Sequence, residues 1–194
     1  MSPKHYRMIQ RAAQAESTRR KIVDATLQLH GERGAVATSH KDVARRADVS
    51  VGTVYHHFPT QEAIVHACGL RFHELNPPPP LESIDPRAPR AERVAELTRA
   101  LVARYAGMPG LERLRAERHE IEALDAGMRF GEQSVAQLIR RALGKGAGKK
   151  KVAIVAAITD MAVINRLLES GMSQPQIAKT LASIINAWLE GGQS

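Results

Sequence analysis

Apolar residues recur at helical spacing along almost the whole chain, and no stretch alternates as a half-buried strand would. Ile22, Ala25, Thr26 and Leu29 mark one face of a first helix, with Gly31 and Gly34 placed to end it. Thr38 or Ser39 offers an N-cap hydroxyl for a short second helix that carries Val43 and Ala44 inward, and Ala47-Asp48-Val49 makes a tight turn. Ser50 caps a third helix in which Val54 and Phe58 lie one turn apart, and Pro59 closes it. A fourth helix is predicted from Thr60 to about Leu75, before Asn76 and Pro77 to Pro80 force an extended segment. Start signals between Asp85 and Pro89 precede a fifth helix with a stripe of Val94, Leu97, Leu101 and Tyr105, ending near Gly107 to Gly110. Leu111 to Leu143 reads as a short helix and then a longer one, followed by helices over Lys149–Ser170 and Ser173–Leu189. Ser173 and Gln176 fit a capping box around Pro175. The pattern predicts an all-α chain.

At 194 residues the chain can bury a core without metal or disulfide staples, and its single cysteine, Cys68, cannot form an intrachain bridge. The polar N-terminus lacks the apolar centre of a signal peptide, and the longest apolar run, Val152 to Ile158, falls far short of the roughly 20 residues a membrane helix needs. A soluble, cytoplasmic protein without a membrane span is expected. Charge is uneven: residues 1–60 hold ten Lys/Arg against five Asp/Glu, and the rest eighteen against fifteen. A basic N-terminal third is either a solvated face or the electrostatic footprint of a nucleic-acid binder.

The richest cluster of polar chemistry is Asp48 to Phe58. If Val54 and Phe58 are buried, Gly52, Thr53, Tyr55, His56 and His57 lie outward, beside Lys41, Arg45 and Arg46. Histidines that share a metal on a helix sit at i and i+4, whereas His56 and His57 are about 100° apart and diverge. No acid lies one turn away to orient either imidazole, and no nucleophile is evident nearby. His66, Cys68 and His73 do not share a helix face. The loop Gly144 to Lys151 lacks the spacing of a phosphate-binding loop and follows a helix rather than a strand. The mixed acids and arginines between Arg113 and Asp125 suit an exposed helix face. No catalytic residue, metal or cofactor is expected, and the remaining reading is a helix-turn-helix whose second helix enters a major groove.

The segments Arg19 to Ala25, Thr38-Ser39 with Asp42-Val43-Ala44, and Val49 to Phe58, with their Gly-Thr-x-Tyr-x-His-Phe core, resemble the DNA-binding domain of the TetR family of transcriptional regulators over roughly residues 17–65. The resemblance implies a helix-turn-helix domain, here residues 1–60, followed by a helical ligand-binding and dimerisation domain, residues 61–194. It implies a homodimer on a double-stranded DNA operator, with Thr38, Ser39, Lys41, Ser50, Val51, Gly52, Thr53, Tyr55, His56 and His57 at the duplex. Asp48 replaces the usual turn glycine, which aspartate tolerates at modest cost. His30 stands where phenylalanine is common and is expected to be a partly buried, hydrogen-bonded side chain. Val51 and Gln61 replace frequent cations, leaving the basic arm of Lys4, Arg7 and Arg11 either to reach the duplex or to form a disordered tail.

The predicted helix over Val152–Leu168 is apolar almost all round, and Ile177 to Leu189 makes a broad stripe. Two such helices suit a four-helix bundle across a twofold axis, with Val155, Ile158, Ile184, Ile185 and Trp188 at the interface. Leu97, Leu101, Tyr105, Met108 and Met128 are candidates for a ligand pocket, with Arg118, His119 and Asn165, and also Arg104, as polar anchors. The expected function is a ligand-responsive regulator, a repressor released from a palindromic operator by a small apolar or amphipathic effector. The alternatives are a constitutive or architectural DNA-binding protein and a helical enzyme.

Overall fold

The computed structural model describes residues 3–108 and 110–191, and the side chains of Pro3 and Lys4 lie outside the description. Helix α1 (Pro3–Arg33) is continuous from its first described residue, so the arm that carries Arg7 and Arg11 is helix rather than a disordered tail. It runs through Gly31 and ends at Gly34, whose φ of +92° is the left-handed stop that glycine accepts most readily. Thr38 is buried and its hydroxyl donates to Gly34 O, which leaves Ser39 as the cap of α2 (His40–Ala47). Ser39 and Asp42 form the reciprocal capping box that holds the start of α2. Asp48 follows at φ 52°, ψ 54°, so aspartate does occupy the left-handed turn. Ser50 then caps α3 (Val51–His57), and α4 (Gln61–Leu75) follows.

The described residues form two compact units. The first holds the chain up to Leu75 together with Arg113–Met128, so packing joins α4 and a later segment to the helices of residues 1–60. Its core gathers Ile22, Val43, Val54, Phe58, Ile64 and Ile121. The later segment contains the end of α6 (Leu111–Ala116) and the start of α7 (Glu122–Leu143). It is fastened by polar groups as well as by Ile121. The Glu117 carboxylate accepts from Ala35 N at 2.6 Å and Val36 N at 3.2 Å, and Glu62 accepts from Glu122 N and Ala123 N at the start of α7.

The second unit comprises Asn76–Glu112 and the chain from Arg129. The proline run Pro77–Pro80 is free of helix, with Pro80 extended as predicted, and a single 3-10 turn follows at Leu81–Ser83. Helix α5 (Arg90–Ala106) packs on α10 (Gln174–Gly191), and Val94, Leu97, Leu101, Ile177, Leu181 and Ile185 are fully or almost fully buried between them and their neighbours. The helix predicted over Lys149–Ser170 is two helices, α8 (Lys149–Ile158) and α9 (Met161–Glu169). The break has a local cause: the Thr159 hydroxyl donates back to Val155 O, and the Asp160 side chain caps Ala162 N. At the start of α10 the Gln176 side chain accepts from Ser173 N and from the Ser173 hydroxyl, which is one half of the predicted capping box.

Candidate nucleic-acid interface

Two buried side chains set the rotation of α3. Val54 is 0% exposed and Phe58 2%, which turns Val51, Gly52, Tyr55 and His56 to solvent, with Thr53 and His57 half-buried at the rim. Ser50 Oγ lies 3.0 Å from Thr53 N and 2.8 Å from Thr53 Oγ1, so the first turn is capped and its hydroxyls are joined. Ser39 and Lys41 are exposed at the start of α2. Of the ten residues proposed at the duplex, only Thr38 is withdrawn from the surface, at 8% exposure. His56 and His57 meet edge to face at 5.3 Å, and among the described residues no group of three or more His, Cys, Asp or Glu is placed to hold a metal.

His40, which the sequence pattern did not single out, orients this surface. Its ring stacks on Tyr55 at 4.5 Å and 7°, while Nε2 lies 2.9 Å from Phe58 O. The first residue of α2 thereby supports the largest exposed side chain of α3. Arg19 caps the far side, its guanidinium 4.9 Å from the centre of the Phe58 ring. No periodicity links His40 to Tyr55, and the pairing arises only once the two helices cross.

Gly52 has no packing reason to be glycine. A Cβ there would meet only Ser50 Oγ, at 3.7 Å. Glycine inside a helix is less favourable than alanine by about 1 kcal/mol. A bare backbone at that point allows close approach from outside. The cations nearby are partly committed: Arg45 is paired with Asp42 at 2.6 Å and Arg46 with Glu32 at 2.8 Å, and the Asp42 carboxyl is held below its usual range chiefly by the Ser39 hydrogen bond, that of Glu32 chiefly by the Arg46 hydrogen bond. Gln61 donates to Ala35 O and is part of the scaffold.

The residues proposed for a ligand site are divided between the two units. Leu97 and Leu101 are fully buried core, Met108 is 5% exposed, and Tyr105 is half-buried. Arg118, His119 and Met128 belong to the first unit, where Arg118 binds Asp125 at 2.6 Å and His119 is exposed. Asn165 donates to Glu112, and Arg104 donates to Asn76 O and Pro77 O, where it pins the proline run. For the proposed interface, Val155 and Ile185 are 0% exposed and therefore core of their own protomer. Ile184 is 48% exposed, and Ile158 and Trp188 are half-buried.

Two short helices joined by a left-handed turn, with the second presenting a polar, glycine-bearing face, define a helix-turn-helix protein. The family model described as bacterial regulatory proteins, tetR family, matches residues 22–68. The head is thus similar to the DNA-binding domain of the TetR family over residues 22–68, about a quarter of the chain. The repressor KstR of Mycolicibacterium smegmatis is 41% identical over 66 residues, 33% of this chain and 32% of that protein. UidR of Escherichia coli K12 is 34% identical over 61 residues, 31% of each. The chain thus aligns with about a third of the length of these curated relatives. A transcriptional regulator of Rhodococcus sp. Rha1 has the same fold, with a TM-score of 0.67 at 18% identity over 89% of this chain and 96% of that one. The protein EbrR, described as multidrug-binding and solved with imidazole, aligns with a TM-score of 0.64 at 22% identity over 87% and 88%.

Proposed function

We propose that the chain is a transcriptional repressor whose α3 lies in the major groove of a palindromic operator, and that it has no enzymatic role. The carrying observation is the outward face of α3, where Tyr55 is propped by His40 beside a glycine that internal packing does not require. The contact residues are Ser39, Lys41, Ser50, Val51, Gly52, Thr53, Tyr55, His56 and His57. A side chain at Gly52 would occupy space that the duplex backbone or base edges need. Gly52→Leu is therefore expected to keep or raise helicity and the urea midpoint while abolishing operator binding, and Tyr55→Ala to weaken it at matched salt. Electrophoretic mobility shift on duplexes recovered by in vitro selection measures both, and parental binding by Gly52→Leu would remove α3 from the interface.

The second unit is the proposed seat of a small apolar or amphipathic effector and of homodimerisation. The EbrR neighbour, named as multidrug-binding, supports the effector. The exposed Ile184 and half-buried Trp188, one turn apart on α10, support the dimer. An effector that binds only the folded, released conformer raises the melting temperature by mass action. Failure of any metabolite to shift melting or release DNA would favour the constitutive regulator.

A further inference from the structure

We propose that the N-terminal half of α1 is a second duplex-binding element, laid along the phosphates that flank the groove read by α3. The inference rests on the DNA-binding reading above. From His5 to Ser17 every residue of α1 is exposed, so this half of the helix adds nothing to the core of its unit. It needs no nucleation of its own, because it extends a helix that packs from Ile22 onward.

Its phase is informative. Arg7, Arg11, Gln14, Thr18 and Lys21 recur at alternating spacings of four and three and so form one stripe along the helix. Lys21 Nζ lies 4.0 Å from Asp48, the turn residue of the helix-turn-helix, and Ala25, one turn further along the stripe, is buried in the head. The side of α1 that carries Arg7 and Arg11 is thus the side on which the helix-turn-helix sits. One turn before Ile22 the helix passes the end of α3, with Arg19 over Phe58. From Lys21 to Arg7 the axis rises about 20 Å, enough to leave the groove and follow the adjoining backbone. Glu16 is the one acid between His5 and Lys21 and does not belong to the stripe. The charge is also needed, since Val51 carries none, Gln61 holds Ala35 O, and Arg45 and Arg46 are paired with acids.

The test uses the full chain, a mixed-sequence duplex of several helical turns, and the double variant Arg7→Ala, Arg11→Ala. Both arginines are exposed, so helicity and the urea midpoint stay parental. Each lost phosphate contact makes the plot of log affinity against log salt shallower by about 0.9, so the pair should reduce the slope by about two for each protomer bound. Across a fourfold rise in salt the parent then loses roughly tenfold more affinity than the variant for each such protomer. Tyr55→Ala on a selected operator is measured in parallel. Parental binding by that variant would count against the reading head, whereas a parental salt slope for the arginine variant overturns the present inference alone. A parental slope accompanied by a fall in light-scattering mass also overturns it and makes the arm a contact between copies of the chain.

Discussion

His30 is 4% exposed, close to Glu117, and its pKa is lowered from 6.5 to about 4. Burial, which penalises the charged imidazolium, is the larger cause, and the nearby carboxylate opposes it. The unfolded chain therefore binds a proton between pH 6.5 and 4 that the folded chain refuses, so stability falls as pH falls through that window and is unaffected by this group above it. The loss approaches roughly 3 kcal/mol at the bottom of the window. Urea unfolding from pH 7 to pH 4.5 is expected to show a lowered midpoint for the parent and a smaller loss for His30→Phe. An identical pH profile for the two would mean that His30 does not carry the effect. Gly34 is constrained twice over, by its φ of +92° and because a Cβ would fall 2.0 Å from Glu117 Oε1. Burial likewise pushes the Cys68 thiol up to about 12, which keeps it from acting as a nucleophile.

Among the elements, the α2–α3 turn carries a measurable strain. Asp48 is the one non-glycine residue with positive φ among the described residues, and its contact with Lys21 is solvent-exposed at 4.0 Å and adds little. Asp48→Gly is expected to stabilise the fold by about 0.5–1 kcal/mol, read as a higher urea midpoint at constant m-value. A lower midpoint would show that the aspartate side chain contributes more than the left-handed backbone costs. The pairings that start α2 and α10 were both legible in the amino-acid order, since Ser39–Asp42 and Ser173–Gln176 act within one turn. The break between α8 and α9 was obscured because apolar residues continue on both sides of Thr159 and Asp160, although these two residues end one helix and start the next.

At the scale of the whole molecule, adjacent residues of α10 part company. Ile185 is 0% exposed against α5 and its neighbours, whereas Ile184 is 48% exposed. Ile185→Glu is expected to cost roughly 3–5 kcal/mol by burying an unpaired charge, and so to unfold the protein or nearly so. Ile184→Glu should leave the melting temperature almost unchanged and yet halve the light-scattering mass if α10 forms the proposed dimer. A stable dimer of Ile184→Glu would move the interface to another face. No helix among the described residues is long and apolar enough to cross a membrane.

Local order alone was enough for the helical character of the chain, the course of α2 and α3 and the outward face of Gly52, Tyr55 and His56. These depend on spacings of three and four residues and on caps that close within a turn. Packing between distant segments decided the rest. Glu117 meets Ala35 and Val36, His40 meets Tyr55, and Arg71 reaches Asp24 at 2.9 Å across residues with no shared periodicity. The apolar arc of α10 is wide enough to admit either Ile184 or Ile185 as its inward residue, and contact with α5 selects Ile185. A one-residue step turns a helix by about 100°, so a broad stripe leaves its own rotation open until a partner helix is in place.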